Sequence, residues 1–94
     1  MGNVKMKFET LSFVDVREVD GFPKIDAWKP ERTDDYAKDC VKGRAYFSEL
    51  YGLLLDSGNP TFLSRVLAAQ VRGGKWEGVE IGFTQAMAEK LMLS

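Results

Sequence analysis

Carboxylates are the only side chains plentiful enough in this 94-residue chain to do acid–base or metal chemistry. The chain has no histidine and a single cysteine, Cys40. Ser-His-Asp and Cys-His mechanisms are therefore excluded, and a lone thiolate completes no zinc site. Glu31, Asp34, Asp35 and Asp39 crowd one short stretch and offer the hard oxygen donors that suit a cation. The same residues also serve as cap and dipole charges at the start of a helix, and that is the reading adopted. No catalytic residue, metal ligand or cofactor is expected.

Asp15, followed on the next extended segment by Asp26-Ala27-Trp28-Lys29, approaches the strand-borne acid, acid-x-lysine pattern of metal-dependent nucleases. The lysine falls three residues after the second acid instead of two, so the pattern fails. Gly74, Gly78 and Gly82 form no phosphate loop, since neither Gly-x-Gly-x-x-Gly nor Gly-Lys-Ser/Thr occurs. Cys40 falls on an apolar helix seam, where it reads as a small buried hydrophobe.

Two groups of residues suit binding instead. Arg65 and Arg72 share a helix face, and Lys75-Trp76 follows them. Together they could hold a phosphate and a stacked base. Trp28 and Trp76 flank breaks in structure beside charged residues, so each is either a lid on the core or an aromatic anchor for a partner. Trp28 and Trp76, with Tyr36, Lys38 and Lys42 at the start of the central helix, make the candidate protein-binding set.

The elements that position these residues follow from periodicity. From Asp34 to Ser57, Tyr36, Cys40, Gly43, Phe47, Leu50 and Leu54 recur at steps of four and three, the seam of a long helix capped by Thr33 or Asp34. Its second half should be buried nearly all round. Gly43 lies on that seam, where a closely packed partner such as the sheet would explain it. Ser57-Gly58-Asn59-Pro60 stops this helix and starts another over 60–72, with Asn59 as N-cap. The second helix should bury Phe62, Leu63, Val66, Leu67 and Val71. So short a connection predicts an αα-hairpin.

Upstream, Val4, Met6 and Phe8 alternate with charged residues, and Val14 and Val16 resume the alternation. This predicts a long bulged strand, or two strands, over 4–19. Asp20-Gly21 is a type I′ turn signal, so residues 22–28 should return antiparallel, with Val16 facing Ile25, Arg17 facing Lys24 and Asp15 facing Asp26. The last two are like-charge pairs, offset in part by the diagonals. Pro23 places the returning strand at an edge. Val79, Ile81 and Phe83 fit both a strand and, with Trp76 and Met87, a helix. The helical cost of Gly78 and Gly82, about 1 kcal/mol each, tips the reading to a short strand followed by a helix over 85–93.

The expected fold is thus one α+β domain over residues 1–94: an antiparallel hairpin or sheet against an αα-hairpin, completed by a short C-terminal strand and helix. Thirteen basic and fourteen acidic residues leave a net charge of −1, which indicates neither a general nucleic-acid binder nor a DNA mimic. Hydrophobic residues at 45% supply a core without disulfides. No apolar run reaches the length of a membrane span, and no signal peptide is evident, so a cytoplasmic protein is expected. The function expected is non-catalytic: a small protein that binds a partner protein, modulating or inhibiting a larger assembly, as phage or mobile-element anti-defence proteins do. The alternative is a nucleic-acid or small anionic-ligand binder using Arg65, Arg72, Lys75 and Trp76. A homodimer is compatible with either.

Overall fold

In a computed structural model, described over residues 6–93, the chain folds as an α+β unit with two strands and three helices. A single 3₁₀ turn, Phe8–Thr10, precedes β1 (Asp15–Val19) and β2 (Phe22–Asp26). Three helices follow: α1 (Tyr36–Ser57), α2 (Thr61–Gly73) and α3 (Gly78–Leu93). Among the described residues, no helix is long and apolar enough to cross a membrane.

The hairpin forms in the expected register. Val16 pairs with Ile25, Arg17 with Lys24 and Asp15 with Asp26. Asp20 (φ 53°) and Gly21 (φ 81°) both adopt the left-handed conformation that a two-residue type I′ turn demands. The like-charge pairs are relieved along the strand and not by the diagonals, because Asp15 takes Arg17 at 3.5 Å and Lys29 at 3.4 Å. Only the base of the hairpin meets the core, through Ala27, Trp28 and a 2.7 Å hydrogen bond from Lys29 N to Phe13 O. The arms project, and the radius of gyration of 13.9 Å exceeds the roughly 12 Å of a compact chain this long.

No strand forms ahead of the hairpin within the described residues; Val4 lies outside them. Phe8 is instead carried by the 3₁₀ turn and stacks on Phe62, centroids 5.1 Å apart. With only two strands in the sheet, the alternation of Met6 and Phe8 finds no ladder to join.

Gly58 (φ 66°) ends α1 as expected, and the Asn59 side chain caps α2 by accepting from Thr61 N at 3.0 Å. The cap of α1 is Asp35, whose carboxylate accepts from Lys38 N at 3.1 Å, one residue beyond the expected choices. Burial is less complete than periodicity implies: Leu55 is 69% and Val71 79% exposed, while Ala69 and Gln70 are buried on α2.

The largest departure is α3, continuous from Gly78, with no strand at residues 79–83. α3, more than α2, is the close partner of α1. The glycines explain both facts. A Cβ on Gly43 would stand 2.0 Å from Val79 O, and one on Gly82 would stand 2.0 Å from Cys40 O. Two helical backbones therefore touch, and the sheet has no part in it. Around this crossing lies an aromatic core in which Phe83 meets Trp28 at 5.1 Å, Phe47 at 5.4 Å and Phe13 at 6.3 Å, mostly edge-on.

Helix propensity alone makes alanine better than glycine anywhere in α1. The packing predicts opposite signs at two positions. Gly43→Ala should destabilise by about 2 kcal/mol or more through overpacking against backbone. Gly52→Ala, whose Cβ would meet only Met6 Sδ at 3.5 Å, should stabilise by up to about 1 kcal/mol. Urea denaturation of the two variants checks this.

Candidate functional site

The site is built on the irregular segment 27–35 and the start of α3. Pro30 offers no N–H for a ladder, and several of the segment's polar groups are satisfied by side chains of α1 and α3. Thr33 donates to the buried Asp39 carboxylate through its N–H at 3.0 Å and its hydroxyl at 2.7 Å. Glu31 N donates to Tyr46 Oη at 3.3 Å, and Lys42 Nζ reaches Glu31 at 3.0 Å.

The strongest anchor is Glu80, wholly buried on the first turn of α3. Trp28 Nε1 donates to it at 2.8 Å, Arg32 at 2.9 and 2.5 Å, and Glu77 N at 2.9 Å. Burial by itself pushes the Glu80 carboxyl up, but the hydrogen bonds from Arg32, Trp28 and the backbone outweigh it and bring the carboxyl down to about 2. The Arg32 guanidinium is held charged by the same pair. Trp28 is therefore part of the core, only 8% exposed, and is not available as a partner anchor.

The remaining candidate aromatics stay at the surface and share one end of the molecule. Tyr36 is 61% exposed, and its ring and carbonyl pack beside Gly78; Trp76, 56% exposed, lies in the loop just before Gly78. Beside Tyr36, an open groove of about 340 Å³ is lined by Thr33, Asp34, Tyr36, Asp39, Glu77 and Gly78. Lys38 is exposed on the same turn of α1 as Tyr36. Lys42 is tied to Glu31 and contributes less freely than the sequence implies.

The four residues of the alternative binding patch are divided. Arg65 and Arg72 line a shallow concavity of about 280 Å³ with Ile25, Ala27 and Ala68, and the Arg65 guanidinium stacks 4.3 Å above the Phe8 ring. Lys75 lines a separate concavity of about 230 Å³ with Trp28, Lys29, Arg32 and Gln70. Both polar atoms of the buried Gln70 amide lack a hydrogen-bonding partner among the described residues. Trp76 lines neither concavity.

Three of the acidic residues at the head of α1 are accounted for locally, Asp35 as cap, Asp39 by Thr33 and Glu31 by Lys42, and Asp34 lines the groove beside Tyr36. Asp15 and Asp26 pair across the hairpin, with Asp26 accepting from Trp28 N at 3.1 Å. Among the described residues, no group of three or more Cys, Asp or Glu side chains is placed to hold a metal ion. The roles of Glu80 and Arg32 escaped sequence reasoning, because Glu80 is 52 residues from Trp28 and carries no motif. No family model matches the chain, and no curated protein or solved structure matches it.

Because its folded pKa lies below the ordinary 4.5, Glu80 contributes its full stabilisation above about pH 4.5 and loses it as pH falls toward 2. The shift corresponds to about 3 kcal/mol. Glu80→Gln should cost a similar amount at neutral pH and flatten the acid limb of the stability profile. Urea titrations at a series of pH values would show it; a variant with an unchanged acid limb would contradict this assignment.

Proposed function

We propose that the chain is a non-catalytic protein-binding module, a modulator or inhibitor of a larger assembly, that engages its partner with the end of the molecule carrying Tyr36 and Trp76. The observation that carries the reading is the exposure of these two large aromatics close to the α3 N-terminus, while Trp28, Tyr46 and Phe83 nearby are buried. Rigid aromatic side chains presented on an ordered frame are the residue types that dominate binding energy at interfaces. Their frame is rigid here because Tyr36 packs on Gly78 and the following turn is pinned through Glu80. The groove lined by Tyr36 also carries Asp34 and Glu77, so it favours a partner segment that offers an arginine or lysine over the Tyr36 ring.

The nucleic-acid or anion reading has less support, since Arg65 and Arg72 face one concavity and Lys75 another. It also predicts a steep salt dependence that an aromatic-anchored interface lacks.

The test is affinity capture of the tagged protein from lysate of its source cells after nuclease treatment. The wild-type chain is compared with Trp76→Ala, Tyr36→Ala and the double reversal Arg65→Glu/Arg72→Glu. Expected is one stoichiometric protein, bound about thirty-fold more weakly by either aromatic variant and retained by the charge reversal. A capture that the aromatic variants leave intact, or one abolished by nuclease, would overturn the proposal.

A further inference from the structure

The hairpin has one open edge and one blocked edge. In a two-residue type I′ hairpin the residues flanking the turn, Val19 and Phe22, exchange hydrogen bonds, and so in alternation do Arg17 with Lys24 and Asp15 with Asp26. The N–H and C=O groups of Val16 and Glu18 on β1, and of Ile25 on β2, therefore point away from the partner strand. On β2 the corresponding position toward the turn is Pro23, which has no N–H and closes that edge. Nothing closes β1. Among the described residues, no hydrogen bond from another element reaches the backbone of Val16 or Glu18, and Val16, Arg17, Glu18 and Val19 are all exposed.

The charges on this edge select its occupant. Within one hairpin, Asp15 faces Asp26 and Arg17 faces Lys24, two like-charge pairs on one face. If a second β1 pairs antiparallel with the first, centred on Val16, Arg17 of each copy lies opposite Asp15 of the other. The acidic pair of one hairpin then sits beside the basic pair of its neighbour. On the opposite face, Ile25 and Val16, 40% and 47% exposed, join their counterparts in a continuous apolar row across four strands. Centring on Glu18 would set Glu18 against Glu18, and centring on Arg17 would set Arg17 against Arg17. Of the three registers, only the one at Val16 is self-complementary.

We propose that the outer edge of β1 binds a second copy of this chain, forming a four-stranded antiparallel sheet in the Val16-centred register. The proposal goes beyond the aromatic surface at Tyr36 and Trp76 and does not depend on it. An edge pairing of five-residue strands falls below the area of a standard stable interface, so the dimer forms in a concentration-dependent way.

Charge exchange tests both the pairing and its register. Asp15→Arg alone and Arg17→Asp alone each set like charges across the two-fold axis, and each should weaken dimerisation at least tenfold in sedimentation equilibrium run from micromolar to millimolar concentration. Across the hairpin, an arginine at position 15 gains Asp26 and an aspartate at position 17 gains Lys24, which offsets the loss of the Asp15 pairs with Arg17 and Lys29, and the double variant restores the pair along β1. The double variant Asp15→Arg/Arg17→Asp should recover the wild-type dimer. An equimolar mixture of the two single variants should form a heterodimer that neither forms alone. A wild-type chain that stays monomeric throughout the range would overturn the proposal. So would a dimer unaffected by the single reversals, which would place the interface elsewhere.

Discussion

The contact between the backbones of α1 and α3 is the constraint on which the remaining structure depends. Gly43 and Gly82 let two helices meet at a distance that any Cβ would prevent, and Gly78 extends the contact by one turn toward Tyr36. Glycine in a helix interior costs about 1 kcal/mol of propensity. The return is dispersion between closely apposed atoms and, beyond that, position. The crossing sets the first turn of α3 at the depth where Glu80 can reach Trp28 and Arg32. Those bonds fix the irregular segment 27–35, which in turn carries the hairpin on one side and the cap of α1 on the other. A helix pair held further apart would leave a buried carboxylate without its guanidinium, and an uncompensated buried charge is among the costliest defects a core can hold.

Local signals in the sequence were sufficient wherever the structure is itself local. Asp20-Gly21 specified the hairpin turn and with it the register of five residue pairs. Gly58, Asn59 and Pro60 specified where one helix stops and another begins. Apart from the cap of α1, which falls on Asp35, the departures involve partners distant in the chain. The residues Val79, Ile81 and Phe83 satisfy both a two-residue and a helical period, and glycine was weighed there as a penalty because its compensation lies on α1, some forty residues earlier. Met6 and Phe8 alternate as strand residues do, yet Phe8 is drawn into a 3₁₀ turn by stacking on Phe62. Trp28 and Trp76 have similar sequence surroundings and opposite fates. What separates them is a single acceptor, Glu80, which no neighbouring residue announces.

The two surfaces offered for recognition differ in kind. At the helical end, rigid aromatic rings stand on a frame held by buried charge pairs, and side chains would carry both affinity and choice of partner. On the hairpin edge, main-chain groups would carry affinity and the pattern of charges would carry choice. The two lie on different elements, one at α1 and the start of α3, the other on β1. The basic residues of α2 belong to neither: Arg65 is spent on Phe8, and Arg72 lies against the base of the hairpin.

The close crossing also bears on how the chain can be made. During synthesis α1 and α2 emerge ahead of α3, but α2 packs only sparsely on α1. The seam of α1 at Gly43, Phe47 and Leu50 has its main partner on α3, and that partner arrives last. Until then the apolar seam of α1 lacks its close-packed partner. The core around the central helix can therefore close only after the sixteen residues of α3 have been added to the helices that precede it.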